Sequence, residues 1–92
     1  MPPVTIRRFE TTPNPNAVKC ILAGAIPGPA RSYRTRPGPG EPIDHPVAAA
    51  LFRIPQVAGL LLSGDWMTVP KAPEARWAEV KPAVVRALAG LP

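Results

Sequence analysis

A single cysteine and a single histidine are all the soft ligand chemistry available to this 92-residue chain. One thiol excludes an intrachain disulfide, and it excludes any multi-cysteine zinc or iron–sulfur site built by this chain alone, because such sites want about four ligands. The six carboxylates are scattered at Glu10, Glu41, Asp44, Asp65, Glu74 and Glu79. No HExxH, GxxxxGK, GxSxG or GxGxxG occurs, so the metalloprotease, P-loop, esterase and dinucleotide readings have no starting point. Long apolar runs are missing as well. The longest, VAGLLL at 57–62, is far short of the roughly 18 residues that span a membrane. The opening MPPVTIRRFE has no apolar stretch long enough for a signal peptide. The expectation is a soluble cytoplasmic protein in a reducing compartment, with no membrane partner and no cofactor.

Proline and glycine are abundant, at 15 and 7 residues, which approaches a disordered composition. Their positions argue otherwise, because most of them fall between periodic segments. VTIRRFE at 4–10 is β-branched and alternating, with Val4 and Ile6 on one face and Thr5, Arg7 and Phe9 on the other. TTPNPN then breaks the strand. Pro13 and Pro15 remove two backbone donors, restrict Thr12 and Asn14 to extended geometry, and leave Asn14 and Asn16 to fold back as Asx-turns. AVKCIL at 17–22 resumes the alternation and pairs with the first segment as a hairpin. RSYRTR at 31–36 is a short third strand, with Arg34 and Arg36 on one side and Arg31 with Tyr33 on the other.

PGPGEPIDHP is a loop, and Pro46 then suits a first helical position, with Asp44 or His45 as cap. Val47, Leu51 and Ile54 form the buried stripe of that helix, and Pro55 stops it. Residues 57–69 give two strands around Ser63, Gly64 and Asp65, with Gly64 supplying a positive φ. Pairing Leu60 or Leu62 with Trp66 or Thr68 would assemble an apolar face. Trp77, Val80, Val84 and Leu88 lie at helical spacing, widened by Ala87 and Leu91, and Gly90 sits where a C-cap belongs. Pro82 deletes the bond to the Ala78 carbonyl if the helix starts near Trp77. One domain over 1–92 follows: α+β, two-layer, a mostly antiparallel sheet with two helices on one face, in the order β-β-β-α-β-β-α.

Cys20 shares a strand face with Val18 and Leu22, the position of a buried small hydrophobe. His45 is a helix-start residue, so a Cys20–His45 nucleophile or metal site has no orienting third group. The chain is not expected to be an enzyme. Phe52, Trp66 and Trp77 are expected in the core. The formal charge of +5 reads first as simple solvated surface charge and second as a basic strip of Arg31, Arg34 and Arg36 with Lys19, which would attract an acidic partner. Nucleic acid is the weaker alternative, because the aromatic–basic interleaving of an RRM is absent.

Three stretches, TTPNPNAVKCIL, HPVAAALFRIPQVAGLLLSGDWMTVPK and WAEVKPAVVRALAGL, closely resemble the N-terminal domain of the Nfu/NifU-like iron–sulfur cluster scaffold proteins. The matching positions are Thr12 to Asn16 with Lys19, Leu51 to Ile54 with Val57, Trp66 with Thr68 and Val69, and Trp77 with Lys81 and Pro82. The pattern departs at 30–42. The resemblance implies contact with partners in cluster delivery, namely a CxxC-bearing scaffold or an iron–sulfur apoprotein. The family's cluster-binding CxxC, which belongs to a separate C-terminal domain, is not in this sequence, so the expectation is a non-catalytic interaction module. The expected protein-binding residues are Asn14, Asn16, Arg31, Arg34 and Arg36.

Overall fold

The computed structural model describes residues 3–38 and 40–91. Five strands form one antiparallel sheet in the spatial order β1-β2-β5-β4-β3. They are β1 (Ile6–Thr11), β2 (Ala17–Leu22), β3 (Arg31–Tyr33), β4 (Leu60–Ser63) and β5 (Trp66–Pro70). Helix α1 (Pro46–Phe52) lies between β3 and β4, and α2 (Trp77–Ala89) follows β5. The element order is the one expected from the sequence. The breaker-rich stretch at 37–46 is irregular up to Pro46, with Pro39 outside the described residues.

The core is the inner face of the sheet meeting the inner faces of both helices. Val18, Cys20 and Leu22 of β2 alternate inward, as do Leu60 and Leu62 of β4 and Met67 and Val69 of β5. Val47, Ala48, Leu51 and Phe52 of α1 and Val80, Val84 and Leu88 of α2 cover them. Period two on the strands and three-to-four on the helices is what burying one face of each element demands. Tyr33 meets Phe52 edge-on, with ring centroids 5.5 Å apart.

Register corrects several sequence expectations. The β4–β5 turn pairs Ser63 with Trp66 and Leu62 with Met67, with Gly64 at φ 58° supplying the turn. That parity sends Met67 inward and Trp66 to the opposite face, where Lys19 Nζ sits 4.9 Å from its ring centroid. Trp66 is therefore not a core residue. In β1 the register shifts between Ile6 and Arg8, so Phe9 returns to the inner side and packs on the core. Phe9 thus shares a face with Ile6 rather than opposing it. Strand β3 ends at Tyr33, and Arg34 to Arg36 leave the sheet. Strand β4 begins at Leu60, and Gly59 before it lies so close to β3 that a Cβ there would come within 2.6 Å of the Tyr33 carbonyl oxygen.

The helix ends follow local chemistry. His45 caps α1: its Nδ1 accepts the Val47 amide at 3.2 Å, and Pro46 occupies the first turn. Helix α2 starts at Trp77 and contains Pro82, so the Ala78 carbonyl lacks its helical donor, on a side where Ala78 and Pro82 are both exposed. Gly90 is the C-cap, its amide bonded to the Arg86 carbonyl at 3.0 Å.

The other end of α1 is closed by Arg36. Its guanidinium donates to the carbonyl oxygen of Phe52, the last helical residue, at 2.5 Å and to those of Ile54 at 2.9 Å and Val57 at 2.6 Å in the segment beyond it, meeting an acceptor that the helix terminus leaves open and tying the following loop to it. Replacing Arg36 with alanine is expected to cost about 1–3 kcal/mol in chemical denaturation, whereas Arg34→Ala changes stability by less than about 0.5 kcal/mol. Equal losses for the two would contradict this division.

The cap at His45 generates a pH prediction. Burial holds the imidazole below its ordinary pKa, helped by the Arg31 charge and opposed by Asp44. Because the folded state binds the proton less readily than the unfolded state, the cap's contribution is complete above the unfolded value, about 6.5, and is lost as pH falls through the lower folded value. The midpoint of thermal unfolding is expected to fall between pH 7.5 and 5, and His45→Asn, which keeps a capping oxygen, flattens that fall. An unchanged slope in the variant would rule out the histidine.

Candidate functional site

The connector between β1 and β2 is held by a set of its own side-chain hydrogen bonds. The Thr12 hydroxyl accepts the Asn14 amide at 3.2 Å and sits 2.8 Å from the Asn14 carbonyl and 3.1 Å from that of Ala17. Asn14 Oδ1 accepts the Asn16 amide at 2.9 Å, an Asx-turn as expected. Asn16 behaves differently: its Oδ1 accepts from Lys71 Nζ at 2.9 Å, while its carbonyl accepts the Lys71 amide at 2.7 Å.

Lys71 holds the site together. Its residue is only 7% exposed, the sole charged residue buried among those described. Its ammonium also reaches the carbonyls of Ala72 at 3.3 Å and Pro73 at 3.5 Å, so its three donors meet three oxygens. The Trp77 ring lies 5.4 Å from the same ammonium, and its indole N–H donates to the Pro15 carbonyl at 3.0 Å. Lys81 stands over Phe9 at 5.2 Å and Trp77 at 6.0 Å. The connector is thus bolted to the end of β5 and the start of α2, while Pro13, Asn14 and Pro15 stay exposed.

Lys71 and the Trp77–Pro15 bond escaped the sequence reading. The available signal was parity: Met67, Val69 and Lys71 follow one another at period two, so a lysine on the inward side of β5 has to find oxygen atoms.

Strand register places Arg34 and Arg36 at the same end of the sheet as the connector. Ala17 pairs with Pro70 at one side of that end, and Tyr33 pairs with Leu60 at the other. Asn14, Asn16, Arg34 and Arg36 therefore flank one sheet end, separated by three strand spacings, on the order of 14 Å. Arg31 lies further along β3, opposite Leu62. Its guanidinium is paired with Asp44 at 2.9 Å and contacts the Tyr33 hydroxyl at 3.2 Å. Arg36 is committed to the carbonyls of Phe52, Ile54 and Val57, and Arg34 is exposed.

Acid–base and metal chemistry find little purchase. Cys20 is fully buried, and burial pushes its thiol up to about 12, with Lys81 pulling weakly the other way, whereas a nucleophilic thiolate needs a lowered value. His45 is occupied as a helix cap. No group of three His, Cys, Asp or Glu side chains is close enough to hold a metal among the described residues. A cavity of about 490 Å³ near the opposite sheet end is lined by Pro3, Val4, Thr5, Ala23, Gly24, Ala25 and Pro27. It contains no titratable side chain.

The family model described as "Scaffold protein Nfu/NifU N terminal" matches residues 6–91. This chain belongs to the Nfu/NifU N-terminal family. A Drosophila sechellia protein named "NFU1 iron-sulfur cluster scaffold homolog, mitochondrial" is 31% identical over 87 residues, covering 89% of this chain and 30% of the relative. The NifU-like protein C1709.19c of Schizosaccharomyces pombe is 37% identical over 79 residues, 84% of this chain and 30% of its own length. The chain therefore spans under a third of these relatives. The crystal structure of protein SAV1430 from Staphylococcus aureus shares the fold, with a TM-score of 0.70 at 23% identity over 90% of this chain and 96% of that one. No helix among the described residues is long and apolar enough to cross a membrane.

The buried thiol gives a direct check. Cys20 is expected to resist iodoacetamide in the native protein at pH 8 and to react within minutes once unfolded in guanidinium, read by intact-mass spectrometry. Rapid native labelling would refute the closed core around β2.

Proposed function

We propose that the domain is a non-catalytic protein-binding module accessory to iron–sulfur cluster assembly or delivery, and that its client is a CxxC-bearing scaffold or an iron–sulfur apoprotein. The family supports the setting, because the relatives are named as cluster scaffolds. The observation that favours a docking role is the connector. Its backbone is ordered by Lys71 and Trp77 from behind, yet its outer edge, 13–15, is exposed. A surface already fixed in shape loses little conformational freedom when a partner arrives.

Within that reading the five residues divide by role. Asn14 keeps its side-chain amide donors free of the Asx-turn, and Arg34 offers an exposed guanidinium at the same sheet end. Asn16 and Arg36 hold the two loops in place. Arg31 exchanges its exposed Asp44 partner for a carboxylate of the client, at small cost because surface ion pairs are weak. The Drosophila relative is named mitochondrial, a different compartment from the cytoplasm expected from the sequence.

The test is an affinity capture from the cells that make the protein. The wild-type domain is expected to retain a CxxC scaffold or an iron–sulfur apoprotein. Asn14→Asp combined with Arg34→Glu, which preserves the Asx acceptor and the Arg36 contacts, is expected to lose it with an unchanged far-ultraviolet spectrum. Retention unaffected by the double variant excludes this surface. Recovery of nucleic acid instead, removable by salt, excludes the client class.

A further inference from the structure

The chain has three lysines, and each sits against an aromatic ring. Their ammonium groups differ in what they meet. Lys71 is buried and spends its donors on Asn16, Ala72 and Pro73. Lys19 lies over Trp66 on the sheet face opposite the helices. Lys81 is half-buried on α2, with Nζ 5.2 Å from the Phe9 ring centroid and 6.0 Å from that of Trp77. It takes no part in the ion pairs or side-chain hydrogen bonds found among the described residues. No fully buried side-chain nitrogen among them lacks a partner, so this ammonium opens to solvent.

Position ties Lys81 to the connector. A residue four places after Trp77 lies on the same side of the helix, and that indole donates to the Pro15 carbonyl at 3.0 Å. One ring therefore stands between the open ammonium and the exposed segment 13–15. The rings also limit where the ammonium can go. A fully solvated lysine samples many rotamers and gives them up when it binds, whereas a stem already held against Phe9 and Trp77 has lost part of that freedom in the unbound domain.

We propose that Lys81 is the anion-recognising residue of the connector surface, and that it takes the carboxylate of an aspartate or glutamate on the client. This rests on the docking role proposed for the connector and adds the chemistry the client has to present. Two exposed acids, Glu74 before α2 and Glu79 in its first turn, pair with no cation among the described residues. They would repel a polyanion spread over this end of the domain, whether a phosphodiester backbone or an anionic membrane. A single carboxylate needs only the one ammonium and leaves both acids in water. The two rings behind Lys81 exclude water from one side of such a pair, which strengthens it relative to a pair at the fully exposed Arg34.

The experiment is zero-length cross-linking of the intact domain to the client it retains. A water-soluble carbodiimide joins an amine to a carboxylate in contact with it as an amide, and the joined peptides are read by mass spectrometry. The expected product links Lys81 to an aspartate or glutamate of a CxxC scaffold or an iron–sulfur apoprotein. Lys81→Met, which keeps a stem against both rings, is expected to weaken binding about fivefold and to flatten its dependence on salt, with the native far-ultraviolet spectrum retained. Lys81→Arg restores the affinity. Arg86→Met, which removes an exposed charge in the last turn of α2, changes neither. The proposal fails if the client is joined through Lys19 or the N-terminus alone, or if Lys81→Met binds as well as wild type. In either case a loss caused by the Asn14 and Arg34 substitutions leaves the docking role standing. If the wild-type domain retains neither class of client, both readings fall together.

Discussion

One buried ammonium determines how the working end of this domain is built. Bringing Lys71 out of water costs several kcal/mol unless its donors are met; the carbonyls of Ala72 and Pro73 meet two of them, and the shortest bond is made by folding the connector back so that Asn16 reaches it. The same step brings Pro15 to the Trp77 indole, so a single electrostatic demand joins β1, β2, β5 and α2. The prolines help by subtraction: with no N–H of their own, Pro13 and Pro15 leave fewer donors in the turn to satisfy. What faces solvent there is the remainder of a loop whose inward chemistry is already complete.

Much of the fold was legible from the sequence because most elements show one strong pattern. Val18, Cys20 and Leu22 could only line an inner face, and Val80, Val84 and Leu88 could only be one side of a helix. Parity near turns was harder. Trp66 is large and aromatic, which argues for the core, but one residue of turn geometry places it outside and gives Met67 the interior position. The bulge in β1 does the same to Phe9. Such shifts leave no trace in composition, since hydrophobicity tells which residues seek burial and not how a turn phases them.

The candidate site was legible in part. The asparagines of the connector announced an Asx-turn, and Asn14 makes one. The arginines did not announce their partners. Three similar residues in six positions suggested a common cationic strip, yet Arg31 neutralises Asp44, Arg36 closes a helix end, and only Arg34 faces outward without such a commitment. Those differences arise from contacts 13 to 21 residues away in sequence, and no local pattern encodes them. Net charge accordingly overstates how much positive surface a partner meets.

The two margins of the sheet limit how any client attaches. β3 is three residues long, and β1 is kinked by its bulge and carries the exposed Arg7 and Arg8. Neither offers the long, flat row of unpaired amides that an incoming strand needs to zip on. Both margins therefore resist backbone augmentation and the runaway stacking that accompanies it. Contact with a client then falls to side chains and loop ends rather than to a borrowed strand.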